Sequence, residues 1–448
     1  MQDTGILIGY SHHAGQQVPI YVTPVQRMRQ MHIIGRTDMG KSALMEHMVL
    51  EHINVGGGVA VIDSHGDLVE NILRHADETW EDRLLYFNPA NPKAIPAWNV
   101  LQHNKGQQPD RIVDDLLCAI MEAIPTGWGH RLATFLRHSM LALTYVPGGS
   151  LADVATLFSN NKERRNAIRK RILASNLDNE LARRFWNDEY PKYRDDEFAP
   201  VQHKLCQLLL SGTLGPMFSQ PESRFDFRDI MDEGGRIVLL NLSGLGADLG
   251  NLLGRIFVSL FYLAAVGRSD LPPCERKPFH LYIDEAHRFM TASIGDMIAE
   301  TRKFGCSLCI AHQYLAQWET RQVADALGAV GTTIAFNVMA KDDESVAKFL
   351  GGGVDPDELT RLEQREAVVR IGTQVYRIET PFLERPADTG MAERVKQIAC
   401  QRYCVSPEQI RAARQSAGRE PMQGSSKYVA GRGPEKDAPA QEFAYDVF

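Results

Sequence analysis

The sequence predicts an α/β fold, with a mostly parallel central sheet and an inserted all-helical subdomain. Three observations predict it. Near the start, MHIIG, SALMEHMVLEHI and GGVAVIDSHGDL follow one another as strand, helix and strand, the alternation of a parallel sheet with crossover helices. From about Asn104 to Arg228 β-branched runs are scarce and apolar residues recur at helical spacing. The α/β alternation then resumes at GGRIVLLNLS.

Taken in order, residues up to about Pro24 hold two short β-like pieces, GILIG and VPIYV. MHIIG is a strand that leads through a turn into the helix SALMEHMVLEHI, and the next strand ends at Asp63. The segments DRIVDDLLCAIMEAI, RLATFLRHSMLALTYV and APVQHKLCQLLLSGTL are helical in period. After the insertion, strands are expected at FHLYID, CSLCIAHQ, TTIAFNV and EAVVRI, the last pairing with QVYRIET. Two short helices, AERVKQIACQRY and SPEQIRAARQSA, follow Pro386. The expected division is therefore residues 1–103 and 229–386 for the core, 104–228 for the insertion and 387–417 for the C-terminal helices. Residues 418–448 are polar and expected to be disordered. The chain nonetheless ends EFAYDVF, and Phe443, Tyr445 and Phe448 among acidic residues suggest a docking peptide for a protein partner.

Composition sets limits on function. The 448 residues carry a formal net charge of -7, so any contact with DNA must come from local basic clusters. The most basic stretch is NKERRNAIRKRIL, in the insertion; its plain alternative is a solvated helix face. The chain has seven cysteines and no leading signal-peptide pattern, which points to a reducing, cytoplasmic setting. Cys306 and Cys309 fall on a strand, where positions three apart face opposite ways, so buried thiols are expected rather than a zinc site. In the longest apolar stretch, LGNLLGRIFVSLFYLAAVGR, Arg255 and Arg268 bracket only IFVSLFYLAAVG, too short to span a bilayer, and the stretch is read as a buried helix. No integral membrane segment is expected.

GRTDMGKS carries the chemistry. Gly35, four residues (Arg36, Thr37, Asp38 and Met39), then Gly40, Lys41 and Ser42 form the full P-loop pattern. Its glycines permit a tight turn that aims backbone N–H groups at phosphates, and the helix opening through Ala43 adds its N-terminus. Lys41 would reach the β- and γ-phosphates, and the Ser42 hydroxyl would ligate Mg²⁺. FHLYIDEAH ends an apolar strand in Asp284 and Glu285. Asp284 would orient the metal and Glu285 would act as general base on the attacking water. Two carboxylates at an exposed strand end are the bland alternative. Asn161-Lys162 continues as Glu163-Arg164, so no guanine-reading motif is present and ATP is favoured over GTP. Gln313, ending the next strand, is placed to sense the γ-phosphate. Arg302, between Glu285 and Gln313, is placed to reach a neighbouring subunit's γ-phosphate; otherwise it is a surface ion pair.

Together GRTDMGKS, VIDSHGDL, IVLLNLSGLGADLGNLLGRIF, YIDEAHRF, ETRKFG and AHQYLAQ resemble the HerA–FtsK superfamily. Within it the sequence looks most like the conjugative coupling-protein ATPases of the TraG and TraD type, of type IV secretion. The resemblance covers about Val25 to Ser416. It implies a RecA-like P-loop ATPase that forms a homo-hexameric ring and translocates DNA using ATP and Mg²⁺. It assigns Lys41, Ser42, Asp284 and Glu285 the roles above, Arg302 the arginine finger and Gln313 the sensor. Two departures stand out. The N-terminal transmembrane helices of membrane-bound coupling proteins are not seen, so a membrane role needs a partner that recruits the chain. The segment before the P-loop is also too short for the N-terminal barrel of HerA. Alternative readings are a phage-packaging or defence ATPase and an ATP-controlled assembly scaffold.

Overall fold

The apolar runs become strands, and most of them join one sheet. The computed structural model describes residues 5–13, 16–103, 108–124, 128–177, 179–209, 214–289, 292–315, 326–351 and 353–419. In chain order the strands are β1 (Ile6–His13), β2 (Gln16–Val22), β3 (Met31–Ile34), β4 (Gly58–Asp63), β5 (Leu84–Phe87), β6 (Ile95–Pro96) and β7 (Ile237–Asn241). β8 (Phe279–Ile283), β9 (Cys306–His312), β10 (Thr332–Ala335), β11 (Glu366–Ile371), β12 (Gln374–Glu379) and β13 (Cys404–Val405) follow. Eleven form the sheet, in the order β2-β1-β12-β11-β10-β3-β9-β8-β4-β7-β5. From β10 to β5 every pairing is parallel. The remaining four strands extend it antiparallel. The parallel strands are buried along their whole length, which is why they read as unbroken apolar runs. The edge strand β2 is largely exposed and carries Pro19, whose missing N–H is tolerated at an edge.

Among the described residues two large cores cover the two faces, and a smaller third cluster gathers Ile34, Ala335 and Val368 of β3, β10 and β11. Along β4, Ala60 and Ile62 enter one, Val59 and Val61 the other, as the two-residue period of a strand requires. Cys306 and Cys309 divide in the same way and are both buried, so they share no face. Among the described residues no group of three or more His, Cys, Asp or Glu could hold a metal ion. The helix Lys41–Asn54 packs on one face, and the long helix Ala247–Gly267 packs on the other with the helical region.

Between Ile95–Pro96 and Ile237 the described elements are all helical, running from Pro109–Ala123 to Phe227–Glu233. Their core is aromatic, with Phe135, Phe158, Phe185, Tyr190 and Phe198 in contact. The basic stretch forms the helix Lys162–Ala174, and part of it turns inward. Arg165 is buried over the Phe198 ring, and Arg169 Nε donates to the Trp186 carbonyl at 2.7 Å. Arg164 and Lys170 are exposed.

Three features differ from the sequence-based expectation. The long apolar stretch is the buried helix expected, but it runs unbroken for 21 residues, so Arg255 does not bound its apolar length. Arg255 lies within it, half-buried. Its 24-residue extension to Asp270 is long and apolar enough to cross a membrane, but 67% of the apolar window is buried inside the fold. β5 and the ribbon β6–β13, which pairs Cys404 with Pro96, went unread. The aromatic chain end expected to dock a partner lies outside the described residues.

Candidate nucleotide site

The strand order brings the motifs together. β9 lies between β3 and β8, so the P-loop after β3, Gln313 after β9 and Asp284-Glu285 after β8 meet at one sheet edge. This is where open parallel sheets bind ligands.

The P-loop is held from several sides. Gly35 N–H donates to the His312 carbonyl at 3.3 Å and Arg36 N–H to that of Asn337 at 2.7 Å. A Cβ on Gly35 would sit 2.6 Å from Phe336 Cβ, so only glycine fits. Gly40 has φ +113, a conformation glycine adopts at little cost. Arg365 N–H donates to the Met39 carbonyl at 2.9 Å and Gln364 Nε2 to that of Asp38 at 3.0 Å. Arg36, Thr37, Asp38, Ser42 and Ala43 are exposed, while Lys41 is buried. Lys41 Nζ donates to the Arg36 carbonyl at 2.9 Å, which folds the ammonium back across the loop. Burial lowers its pKa, against the pull of Glu285, Asp284 and Asp38.

The carboxylates are set differently. Ser42 Oγ donates to Asp284 Oδ2 at 3.2 Å, linking the two residues expected at the metal. Burial, then the charges of Asp63 and Glu285, push the Asp284 carboxyl up to about 6. Such a site favours a cation, which would offset the crowded negative charge. Burial opposes the Glu285 charge as well. Hydrogen bonding to His287 and Gln313, with Lys41 nearby, outweighs it and holds this carboxyl below its ordinary value. Gln313 Nε2 donates to Glu285 Oε1 at 2.7 Å, and His287 Nδ1 lies 3.3 Å from Oε2. Lys41, Ser42, Asp284, Glu285 and Gln313 therefore form one cluster. Arg302 does not join it. It is exposed in the turn Thr301–Phe304, before β9 begins, at the opposite edge of the sheet.

Solved structures share this architecture. A bacterial conjugative coupling protein, TrwBdeltaN70 in its unbound form, is 15% identical, covers 85% of this chain and 91% of its own, and superposes with a TM-score of 0.57. The fold is the RecA-like P-loop fold of the conjugative coupling proteins. The plasmid coupling protein TrwB in complex with ADP and Mg²⁺ is 15% identical, with coverage of 88% and 92% and a TM-score of 0.58. VirB4 of Thermoanaerobacter pseudethanolicus is 14% identical, with coverage of 86% and 98% and a TM-score of 0.59. No family model and no curated protein matches the chain.

Within this coupling-protein fold, two histidines escaped the sequence reading. His287 follows Glu285 by two residues, a local signal that the string DEAHRF offered. His312 had none. It is fully buried, and its Nε2 lies 2.6 Å from His32 Nε2 on β3, 280 residues away in sequence. Its Nδ1 is 3.2 Å from the Tyr314 carbonyl. With Nδ1 donating there, His312 Nε2 accepts from His32. The pair ties the P-loop strand to the backbone on both sides of Gln313.

Proposed function

We propose that the chain is a Mg²⁺-dependent ATPase that assembles as a homo-hexameric ring and translocates DNA, in the manner of a coupling protein of conjugative or mobile-element transfer. The observation that carries the hydrolytic part is the meeting of the P-loop, Asp284, Glu285 and Gln313 at adjacent strand ends. The similarity to a coupling protein solved with ADP and Mg²⁺, and with a non-hydrolysable ATP analogue, supports the nucleotide and the metal. The same protein is also solved with a GTP analogue. The residues fit the metal. A serine hydroxyl and a carboxylate already in contact are hard oxygen donors of the kind Mg²⁺ takes. Bound there, Mg²⁺ would neutralise charge developing on the transferred phosphoryl group.

The chain's own residues do the rest. Backbone N–H groups of the P-loop and the N-terminus of the helix Lys41–Asn54 face phosphate oxygens. Lys41 exchanges its Arg36 carbonyl for the β- and γ-phosphates. Glu285, kept ionised at neutral pH, accepts the proton of the attacking water. Gln313 fixes the orientation of that carboxylate and contacts the water or the γ-phosphate. Arg302 completes the site of the next subunit.

DNA-stimulated hydrolysis tests the whole reading. Wild-type protein should hydrolyse ATP faster with DNA, and Lys41→Ala should abolish turnover with and without it. Exposed Arg164, Lys170 and Lys303 are candidate contacts. Each phosphate contact made by Lys or Arg adds about 0.7–0.9 to the log–log salt slope, so stimulation should fall steeply with salt. Hydrolysis indifferent to every DNA form would leave an ATP-controlled scaffold as the better account.

A further inference from the structure

On the same sheet edge, beyond Asp284 and away from the P-loop, the ends of β4 and β7 enclose a second cavity of about 290 Å³. Ser64, His65, Ser243, Gly246, Asn251 and Arg288 contribute to its wall, and no Asp or Glu lines it. Arg288 brings a full positive charge. Its Nε donates to Asn251 Oδ1 at 3.1 Å and its Nη1 lies 3.5 Å from His65 Nε2. No carboxylate among the described residues is within ion-pair distance of it. The wall also holds the N-terminus of the 21-residue helix Ala247–Gly267. Its N-cap is Gly246, which supplies no side-chain cap, and a Cβ built there would meet nothing within 4 Å. The first turn, which carries Asp248, is exposed at Ala247 and Asp248, with the positive end of the helix dipole behind it. The Ser64 hydroxyl, buried in the wall, has no hydrogen-bond partner among the described residues. An arginine, a helix N-terminus and the Ser64 hydroxyl, with no carboxylate in the lining, suit a phosphate oxyanion.

This cavity is wired to the first site. Arg288 lies in the turn Ala286–Phe289, directly after Glu285, and its N–H donates to the Glu285 carbonyl at 2.9 Å. The far end of the turn is fixed, because the Phe289 ring packs where a Cβ on Gly254 would be only 2.2 Å away. A phosphate drawing Arg288 towards the helix N-terminus would turn this segment about Phe289 and move Glu285.

We propose that the cavity receives a backbone phosphate of the translocated nucleic acid and that Arg288 passes its occupancy to Glu285. The source of the phosphate rests on the motor reading above; the anion site does not. Free phosphate offers the same oxygens, and the test separates the two. With Mg·ADP filling the P-loop, labelled DNA is titrated by fluorescence anisotropy at several salt concentrations, and inorganic phosphate by calorimetry. Arg288→Gln should weaken both about tenfold and lower the DNA log–log salt slope by about 0.7–0.9, the worth of one phosphate contact. Arg288→Lys should restore the slope. Asn251→Asp, which pairs the guanidinium with a carboxylate, should weaken both ligands even if Arg288→Gln folds poorly. Unchanged affinity for both ligands in folded variants overturns the site. Weakened phosphate with unchanged DNA leaves an anion site but overturns the backbone assignment. Wild-type protein that binds no DNA removes the motor reading, and the phosphate titration then decides the cavity alone.

Discussion

Glu285 sits where few side chains sit willingly. Its φ is +49, in the left-handed region, and holding a non-glycine residue there costs on the order of 1–3 kcal/mol. The surroundings bear that cost: Glu285 N–H donates to Asp284 Oδ1 at 2.9 Å, and Gln313 and His287 flank the carboxylate. Glu285→Gln keeps this shape and removes the base. Turnover should drop about 10²–10⁴-fold while a fluorescent ATP analogue still binds; near wild-type turnover would assign the water to another group. The P-loop and the two carboxylates were legible because their chemistry depends on local spacing. The His32–His312 contact was not, since only folding brings those positions together. Arg288 was visible in DEAHRF, but its partners Asn251 and His65 come from other elements.

At the scale of elements, Arg302 is the case to settle. It precedes β9, while the nucleotide cluster lies beyond the other end of that strand. Seven residues of β9 at about 3.3 Å each put roughly 20 Å between them. Arg302 therefore cannot serve the nucleotide of its own chain, and a finger role requires a neighbour. Arg302→Ala should fold, bind ATP and fail to hydrolyse it. Mixing it with Lys41→Ala subunits should recover activity wherever an intact Arg302 meets an intact P-loop. No recovery at any ratio, with mixing shown by subunit exchange, would leave Arg302 a purely structural residue. The strands themselves were legible as apolar runs. Their order was not: nothing local in CSLCIAHQ says that β9 inserts between β3 and β8. β5 was missed because no motif follows LLYF, whereas the equally short β3 leads into the P-loop pattern. β6 and β13 were missed because two-residue strands carry no period, and their pairing joins residues 95–96 to 404–405.

For the whole molecule, the buried titratable groups determine how it meets acid. Net charge shows none of this. His32 and His312 lie between β3 and β9, and His52 stacks on His280 at 3.7 Å between ring centroids. Burial pushes His32 and His280 down to about 3, and lowers His52 and His312 as well. A histidine kept neutral in the fold takes a proton only when unfolded, so its stabilising contribution is lost as pH falls from about 6.5 towards 3. Glu46, Asp115, Asp229 and, in the metal-free protein, Asp284 act the other way. Burial raises each to about 6, so between about pH 6 and 4 the folded state holds protons that the unfolded state has released. There, stability contributed by these carboxyls rises as pH falls. In that window they offset part of the histidines' loss, to which His75, His103 and His138, also lowered by burial, add. Below about 4 these four carboxyls are protonated in both states while the buried histidines go on losing their contribution, at up to about 1.4 kcal/mol each per pH unit and, for His32 and His280, only down to about pH 3. Stability from urea melts of the metal-free protein should thus fall more steeply per pH unit below pH 4 than between pH 6 and 4. His32→Gln keeps a donor for His312 and removes one titrating ring, so the slope between about pH 4 and 3 should lessen by up to about 1.4 kcal/mol per pH unit. An unchanged slope in a folded variant would mean that His32 takes up its proton without unfolding.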